Sequence, residues 1–190
     1  MARKANFCKQ EKLQQAMTLF WSKGYANTSI NDLIETLGIN RFSLYNTFGD
    51  KESLYYLALD NYLEQISFPK LATLREPDSG LEALRDFLIL FADKQKENTC
   101  GCFIQNAVVE HAATNSMVLK RSDSLFDTLE KTIADVLNNA KQRQELESDT
   151  DVSTLTQFII CHMQGIRVLG KAKRYNNIDI ATKMLIGAIK

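Results

Sequence analysis

Between Ser29 and Lys51 two short amphipathic segments meet at Leu37-Gly38-Ile39-Asn40, and this junction restricts the fold more than any other feature of the chain. Ile30, Leu33, Ile34 and Leu37 recur at i, i+3, i+4 and i+7, the spacing of one buried helical face. Ser29 or Thr28 is placed to cap that helix. Gly38 supplies a residue that takes positive φ without strain, and Ile39 plugs the turn into a core. Asn40 then caps a further helix with Leu44 and Phe48 facing inward, and Asp50 caps a longer one through Leu54, Leu57 and Ala58 toward Ile66. Two short helices across a tight glycine turn are the layout of a helix-turn-helix, whose second helix enters the DNA major groove.

The rest of the chain repeats the helical period. Leu13, Ala16, Met17 and Phe20 form one face of a helix over 9–23 that Gly24 ends. Both prolines, Pro69 and Pro77, fall in the linker-like stretch Pro69 to Gly80. Beyond it, Leu81, Leu84, Leu88 and Phe91 mark a helix broken at Asn98-Thr99-Cys100-Gly101, and Phe103 to Ala113 reads as a short one. Leu125, Leu129, Ile133, Val136 and Leu137 mark a longer helix that runs out in the charged stretch 141–151. Two more follow, Val152 to Arg174 and Ile178 onward. No β-type alternation exceeds four residues. The expectation is an all-α chain of about nine helices, divided into domains at 1–68 and 69–190.

The overall charge balances, yet its distribution does not. Residues 1–51 hold seven Lys/Arg (Arg3, Lys4, Lys9, Lys12, Lys23, Arg41, Lys51) against four acids, a net of +3; sixteen basic and nineteen acidic residues leave the remainder at −3. That asymmetry suits a small basic reader on a neutral-to-acidic body. With 45% apolar and 24% charged residues the composition is that of a globular protein. No apolar run approaches the ~20 residues that span a bilayer, and no apolar segment follows the charges of Met-Ala-Arg-Lys-Ala-Asn, so no membrane partner and a cytoplasmic location are expected.

With these residues in hand, the segment from Lys12 to Leu59 resembles the tetracycline-repressor (TetR) family. The likeness rests on Leu19-Phe20-Trp21-Ser22-Lys23-Gly24-Tyr25, Thr28-Ser29-Ile30 and Leu37 through Lys51. The resemblance implies a homodimeric transcription regulator, usually a repressor, released from a double-stranded operator when a small molecule enters the C-terminal helical domain. It also implies that Arg41, Phe42, Ser43, Tyr45, Asn46 and Thr47 form the exposed face of the recognition helix. Thr28, Ser29 and Lys51 would meet phosphate. Side-chain chemistry suits those roles: an Arg41 fork for guanine O6 and N7, an Asn46 amide for adenine, and a Phe42 ring for a thymine methyl. Phe42 departs from the family pattern, which more often has glycine, alanine or proline there.

The C-terminal residues are less specific. The helices from Val152 and Ile178 carry apolar residues on more than one face, with Gly165, Gly170 and Gly187 among them, and read as core or as a homodimer face. Pocket candidates for an effector of unknown identity are Phe87, Phe91, Phe103, Asn106, Glu110, His111, Phe126, His162 and Gln164. Cys100 and Cys102 open the helix at Phe103, where a helix N-terminus can favour a thiolate, so a thiol-based redox or electrophile sensor is one alternative. Packing is the other reading of Cys102. A helical DNA-binding or interaction module without an inducer is a further alternative. Cys-x-Cys with a distant Cys161-His162 is not a zinc spacing, so no metal is expected. No Gly-x-Ser-x-Gly, phosphate loop or His-Glu-x-x-His is present, which argues against an enzyme and leaves no cofactor motif.

Overall fold

The helical periods become elements in a computed structural model that describes residues 7–98, 100–111 and 114–189. The expectations placed on Arg3, Lys4, Thr99 and Ala113 lie outside the described residues. Among those described there are nine α-helices and no strand: α1 (Lys9–Lys23), α2 (Ile30–Leu37), α3 (Arg41–Phe48), α4 (Lys51–Tyr62), α5 (Leu81–Glu97), α6 (Phe103–His111), α7 (Ser116–Gln142), α8 (Val152–Lys171) and α9 (Tyr175–Ala188). None of them is long and apolar enough to cross a membrane.

Several boundaries differ from the sequence expectation, two of them with a local cause. The helix expected to run on toward Ile66 gives way to a π-helical turn, Leu63–Ser67, and the stretch expected to be a linker from Pro69 is helical at first, within the 3₁₀ segment Phe68–Arg75. Leu71 and Leu74, three residues apart, are both buried, and that is the spacing a 3₁₀ helix places on one side. Pro69 sits near the start of this segment, where a missing N–H costs least. In α7 the helix begins at Ser116, well before Leu125. Asn115 explains this, because its side-chain oxygen accepts from the Met117 and Val118 amides at 3.0 and 3.1 Å and so starts the helix.

The chain divides into two compact units that are not contiguous segments: Met1–Ser67 with Phe103–Asp123, and Phe68–Cys102 with Ser124–Lys190. Aromatic packing accounts for the return of residues 103–123 to the first unit. Phe103 meets Tyr55 and Tyr62 edge-on at 5.6 and 5.8 Å, and Tyr55 in turn meets Phe20 at 5.2 Å. Burying each such ring contributes roughly 1.5–3 kcal/mol. Around them Met17, Leu33, Leu37, Leu44 and Leu54 are all fully buried. The buried Asn61 amide is satisfied by α1: Gln10 Nε2 donates to its oxygen at 2.7 Å and its nitrogen donates to Gln14 Oε1 at 3.0 Å. From the start of α7, Arg121 Nη2 pairs with Asp60 at 2.6 Å.

In the second unit α5 packs against α8 and α9, with Ala92, Ile166 and Ile178 at the centre and Phe91 and Leu169 beside them. Gly170 is required by proximity, since a Cβ there would lie 2.5 Å from the Gln95 carbonyl oxygen on α5. Asp151 caps α8 by accepting from the Thr154 amide at 3.1 Å. Glu145 accepts from the Leu81 amide at 2.7 Å and so satisfies the start of α5.

Candidate nucleic-acid interface

Within the first unit, α2 and α3 are held by caps at both ends of their junction. Ser29 Oγ accepts from the Asp32 amide at 3.0 Å, while the Asp32 carboxylate accepts from the Ser29 amide at 2.7 Å, a reciprocal capping box. Lys23 on α1 also pairs with Asp32 at 2.8 Å. That ammonium, followed by the Ser29 hydrogen bonds, holds the Asp32 carboxyl well below the usual carboxylate range. Gly38 adopts φ 61°, ψ 31°, the left-handed conformation that turns the chain; nothing crowds its Cα, so conformation alone calls for glycine. Asn40 Oδ1 accepts from the Ser43 amide at 2.8 Å and starts α3.

The caps set the rotation of α3. Leu44 and Phe48 are buried, while Arg41, Phe42, Tyr45 and Asn46 are exposed and Ser43 and Thr47 half-buried along their flank. Phe42 is 78% exposed, so its ring does not pack beside the supporting helix. Six neighbouring side chains thus share one outward surface on a helix whose inward side is pinned. Arg41 Nη2 reaches Asn31 Oδ1 at 3.4 Å, bringing Asn31 of α2 to the edge of that surface. The sequence reading did not name Asn31. Its signal was its place one residue after Ile30 in α2, facing away from the apolar stripe.

The three residues expected to meet phosphate are placed differently from one another. Ser29 is exposed at the start of α2. Thr28 is fully buried, and its hydroxyl donates to the Gly24 carbonyl at 2.6 Å, so it braces the turn and cannot offer that hydroxyl to a phosphate. Lys51 is half-buried at the first position of α4 with its ammonium 4.1 Å from the Tyr25 ring centroid, a cation–π contact that fixes the charge beside the helix N-terminus. Asp50, which caps α4, already accepts from the Ser53 amide at 2.7 Å; this bond keeps its carboxyl below the ordinary range. A phosphate met at the start of α4, as expected from the sequence, would therefore be held by Lys51 more than by free amides.

The nine pocket candidates are divided between the units. Phe103 is core of the first unit and Asn106 lies half-buried beside it on α6. Glu110 holds the turn after α1, its carboxylate accepting from the Ala26 and Tyr25 amides at 2.8 and 3.3 Å, which corrects the expectation that it faces a ligand cavity. His111 packs edge-on to Tyr25 at 5.1 Å within the same aromatic group. In the second unit Phe87 and Phe91 stack at 6.2 Å on α5, and Phe126 is half-buried on α7. Gln164 accepts from Arg167 at 2.9 Å. His162 Nε2 lies 3.0 Å from the Ala181 carbonyl and lines an open groove of about 270 Å³ with Phe158, Cys161, Gly165, Ile166, Leu169 and Ala181.

Arg167 was missed by the sequence reading although a signal existed. Ile160, Met163, Arg167 and Gly170 follow one another at helical spacing, which puts a guanidinium in a buried slot of an apolar face. Of the thiols, Cys102 is buried and Cys100 half-buried. Burial of Cys102 favours a packing role, since a sensing thiol must be reached by its oxidant. Among the described residues no group of three or more His, Cys, Asp or Glu is arranged to hold a metal ion.

Comparison with known proteins places this geometry. A family model described as bacterial regulatory proteins, tetR family, matches residues 13–56, and one described as tetracyclin repressor-like, C-terminal domain, matches residues 79–179. The chain is 32% identical over 193 residues to the HTH-type transcriptional regulator YezE of Bacillus subtilis, covering 97% of this chain and 100% of that one. It is 30% identical over 165 residues to the HTH-type transcriptional repressor ComR of Escherichia coli, with 85% and 79% covered. Among solved structures, a TetR-family regulator from Chloroflexus aurantiacus superposes with a TM-score of 0.85 at 26% identity, covering 95% of this chain and 93% of that one. The regulator CifR, solved as a cysteine mutant on 26-base-pair operator DNA, shares the fold with a TM-score of 0.84 at 24% identity and full coverage of both chains.

Proposed function

We propose a reading that starts from membership: this chain belongs to the tetR family of bacterial regulatory proteins, and it is a DNA-binding transcriptional regulator, not an enzyme. It acts in the cytoplasm as a repressor, in keeping with the repressor ComR among its relatives. The N-terminal 1–68 segment carries the reader, and residues 69–190 carry effector binding and self-association. The observation that carries the reading is the outward surface of α3, where Arg41, Phe42, Tyr45 and Asn46 stand exposed over a buried Leu44 and Phe48.

On the duplex, α3 lies in the major groove. Arg41 takes a guanine through its fork, Asn46 an adenine, and Phe42 packs on a thymine methyl; Ser43, Tyr45 and Thr47 reach base edges or phosphate. Ser29 and Lys51 bind the backbone on either side, as a capped helix start and a fixed cation would.

The operator is read by two copies. Phe158, Val168, Ile180 and Met184 are exposed on α8 and α9, and Met184 is 68% exposed. With Gly165, Gly187 and Ala188 also at the surface, this is an apolar face of the kind that a second copy covers. A small molecule bound in the second unit releases the DNA. The test is binding of the purified chain to DNA upstream of its own gene across a salt series. Specific recognition appears as a log–log salt slope of several units and resistance to competitor DNA. Equal displacement by any competitor contradicts it.

A further inference from the structure

A groove of about 440 Å³ opens in the second unit between α7 and the end of the 3₁₀ segment, within the roughly 300–1,000 Å³ of small-molecule sites. None of the nine pocket candidates lines it. Its α7 wall is a polar stripe, Thr128, Thr132, Asp135 and Asn139, at i, i+4, i+7 and i+11 of one helical face, and Arg75 and Glu76 line the other side. A polar stripe on an amphipathic helix ordinarily faces water. Here Thr132 is only 6% exposed, and among the described residues nothing bonds its hydroxyl. Thr128, one turn earlier, donates to the Ser124 carbonyl at 2.7 Å, and Thr156 on α8 donates to Val152 at 2.8 Å, the usual outlet of a helical threonine. A nearly buried hydroxyl that forgoes that outlet costs free energy until something in the groove bonds it.

The charges around this hydroxyl are of both signs and loosely held. Among the described residues neither Arg75 nor Glu76 forms an ion pair. Asp135 pairs with Lys131, one turn back at 2.8 Å, and both side chains are largely exposed, so that pair is readily exchanged. Asn139 donates its amide nitrogen to the Ser79 carbonyl at 3.3 Å, which leaves its amide oxygen as an acceptor. Two cations, Arg75 and Lys131, balance two acids, Glu76 and Asp135, around the lining. A ligand with one sign of charge meets repulsion from half of these groups. A molecule that carries both signs matches a guanidinium on one wall and a carboxylate on the other.

We propose that this groove binds a small zwitterion, a free amino acid or dipeptide, with its carboxylate on Arg75 and its ammonium on Asp135. The guanidinium fork takes two carboxylate oxygens side by side, and the ammonium takes the place of Lys131 at Asp135. The Thr132 hydroxyl donates to the same carboxylate and so gains the partner it lacks. The inference rests on the reading that a small molecule bound in the second unit releases the DNA, and it names that molecule's class.

The test uses the full chain and a defined panel: alanine, leucine, glutamine and alanylalanine. Each is run beside its N-acetyl form, which lacks the ammonium, and its amide, which lacks the carboxylate; glucose is the uncharged polar control. Thermal melts and titration calorimetry are run on the wild type, Thr132→Val, Arg75→Gln and Asp135→Asn. At least one zwitterion is expected to raise Tm while its two blocked forms and glucose do not. Thr132→Val should weaken that binding roughly tenfold, the loss of one hydrogen bond, without lowering the Tm of the free chain. Arg75→Gln and Asp135→Asn should each weaken it about tenfold or more. Arg75→Gln should also erase the preference over the amide, and Asp135→Asn the preference over the N-acetyl form. Both of these side chains are exposed, so their variants decide alone should Thr132→Val fail to fold. Equal binding of zwitterions and blocked forms or glucose, unchanged binding in either Arg75→Gln or Asp135→Asn, or no binding by any zwitterion overturns the proposal. DNA retention is scored separately on the same samples. A zwitterion that binds through Arg75 and Asp135 but leaves DNA bound supports the site and removes the effector reading. Specific DNA binding by a chain that takes up no zwitterion removes the site and leaves the regulator.

Discussion

Among the described residues α3 on one side and α8 and α9 on the other each present an exposed surface, yet the two surfaces are built from opposite materials. On α3 the exposed side chains are a guanidinium, an amide, a phenol and one bare ring, on a helix of eight residues pinned by Asn40 at its start. On α8 and α9 they are Phe158, Val168, Ile180 and Met184, on helices of 20 and 14 residues. Hydrogen-bonding groups on a short, rigidly capped helix suit a polar, hydrated partner whose edges must be matched group by group. Aliphatic area on long helices suits a partner of the same kind, where burial supplies the free energy and little directionality is needed. On the proposed reading the chain separates selectivity from assembly.

That contrast can be broken most forcefully at the assembly face. Phe158→Glu combined with Met184→Glu places like charges across a self-complementary surface, which costs several kcal/mol. Sedimentation should show the double variant as a monomer with unchanged helix content, and operator affinity should fall about 100-fold or more. A variant that remains dimeric would move the interface elsewhere.

At the reading surface, effects should be smaller and of two kinds. Gly38→Ala forces a side chain into the left-handed turn and should cost about 1–2 kcal/mol in thermal or denaturant unfolding. It leaves base preference untouched in the molecules that fold. Lys51→Ala should weaken every DNA sequence alike and lower the salt slope by about one. Sequence-dependent loss in that variant would blur the division between phosphate and base contacts.

The smallest effect expected is with pH. Because folding depresses the Asp32 carboxyl, its contribution is present above the ordinary aspartate value of about 3.9 and disappears as pH falls through the lower folded value. Asp32→Asn should therefore flatten the acid limb of a stability–pH profile measured between pH 2 and 5 and change little at neutral pH. An unaltered acid limb would show that the capping box is not the source.

How much of this the sequence disclosed follows from the same contrast. The α3 surface was legible because local chemistry makes it: Gly38, Asn40 and Asp50 mark turns and caps within a few residues, and the exposed residues are those left after Leu44 and Phe48 are assigned inward. Thr28 was misplaced because a hydroxyl near a helix start suits a cap, a phosphate contact or a brace, and only the Gly24 carbonyl decides among them. The pocket candidates were the least legible. Glu110 and His111 belong with the first unit because Phe103 is drawn to Tyr55 and Tyr62, contacts across 48 and 41 positions that no local period reports. Arg167 was hidden for the opposite reason, since an arginine in an apolar slot reads as a surface residue until burial is known.

Whether the exposed face of α3 reads base edges is decided by selecting bound fragments from genomic DNA with the wild type and with Arg41→Ala. The wild type should enrich an inverted repeat with two equivalent half-sites. Arg41→Ala should enrich the same repeat with one base pair relaxed in each half-site, a loss of about 1–3 kcal/mol of discrimination there. An unchanged motif, or a loss spread evenly over all positions, would contradict the assignment of α3 as the reader.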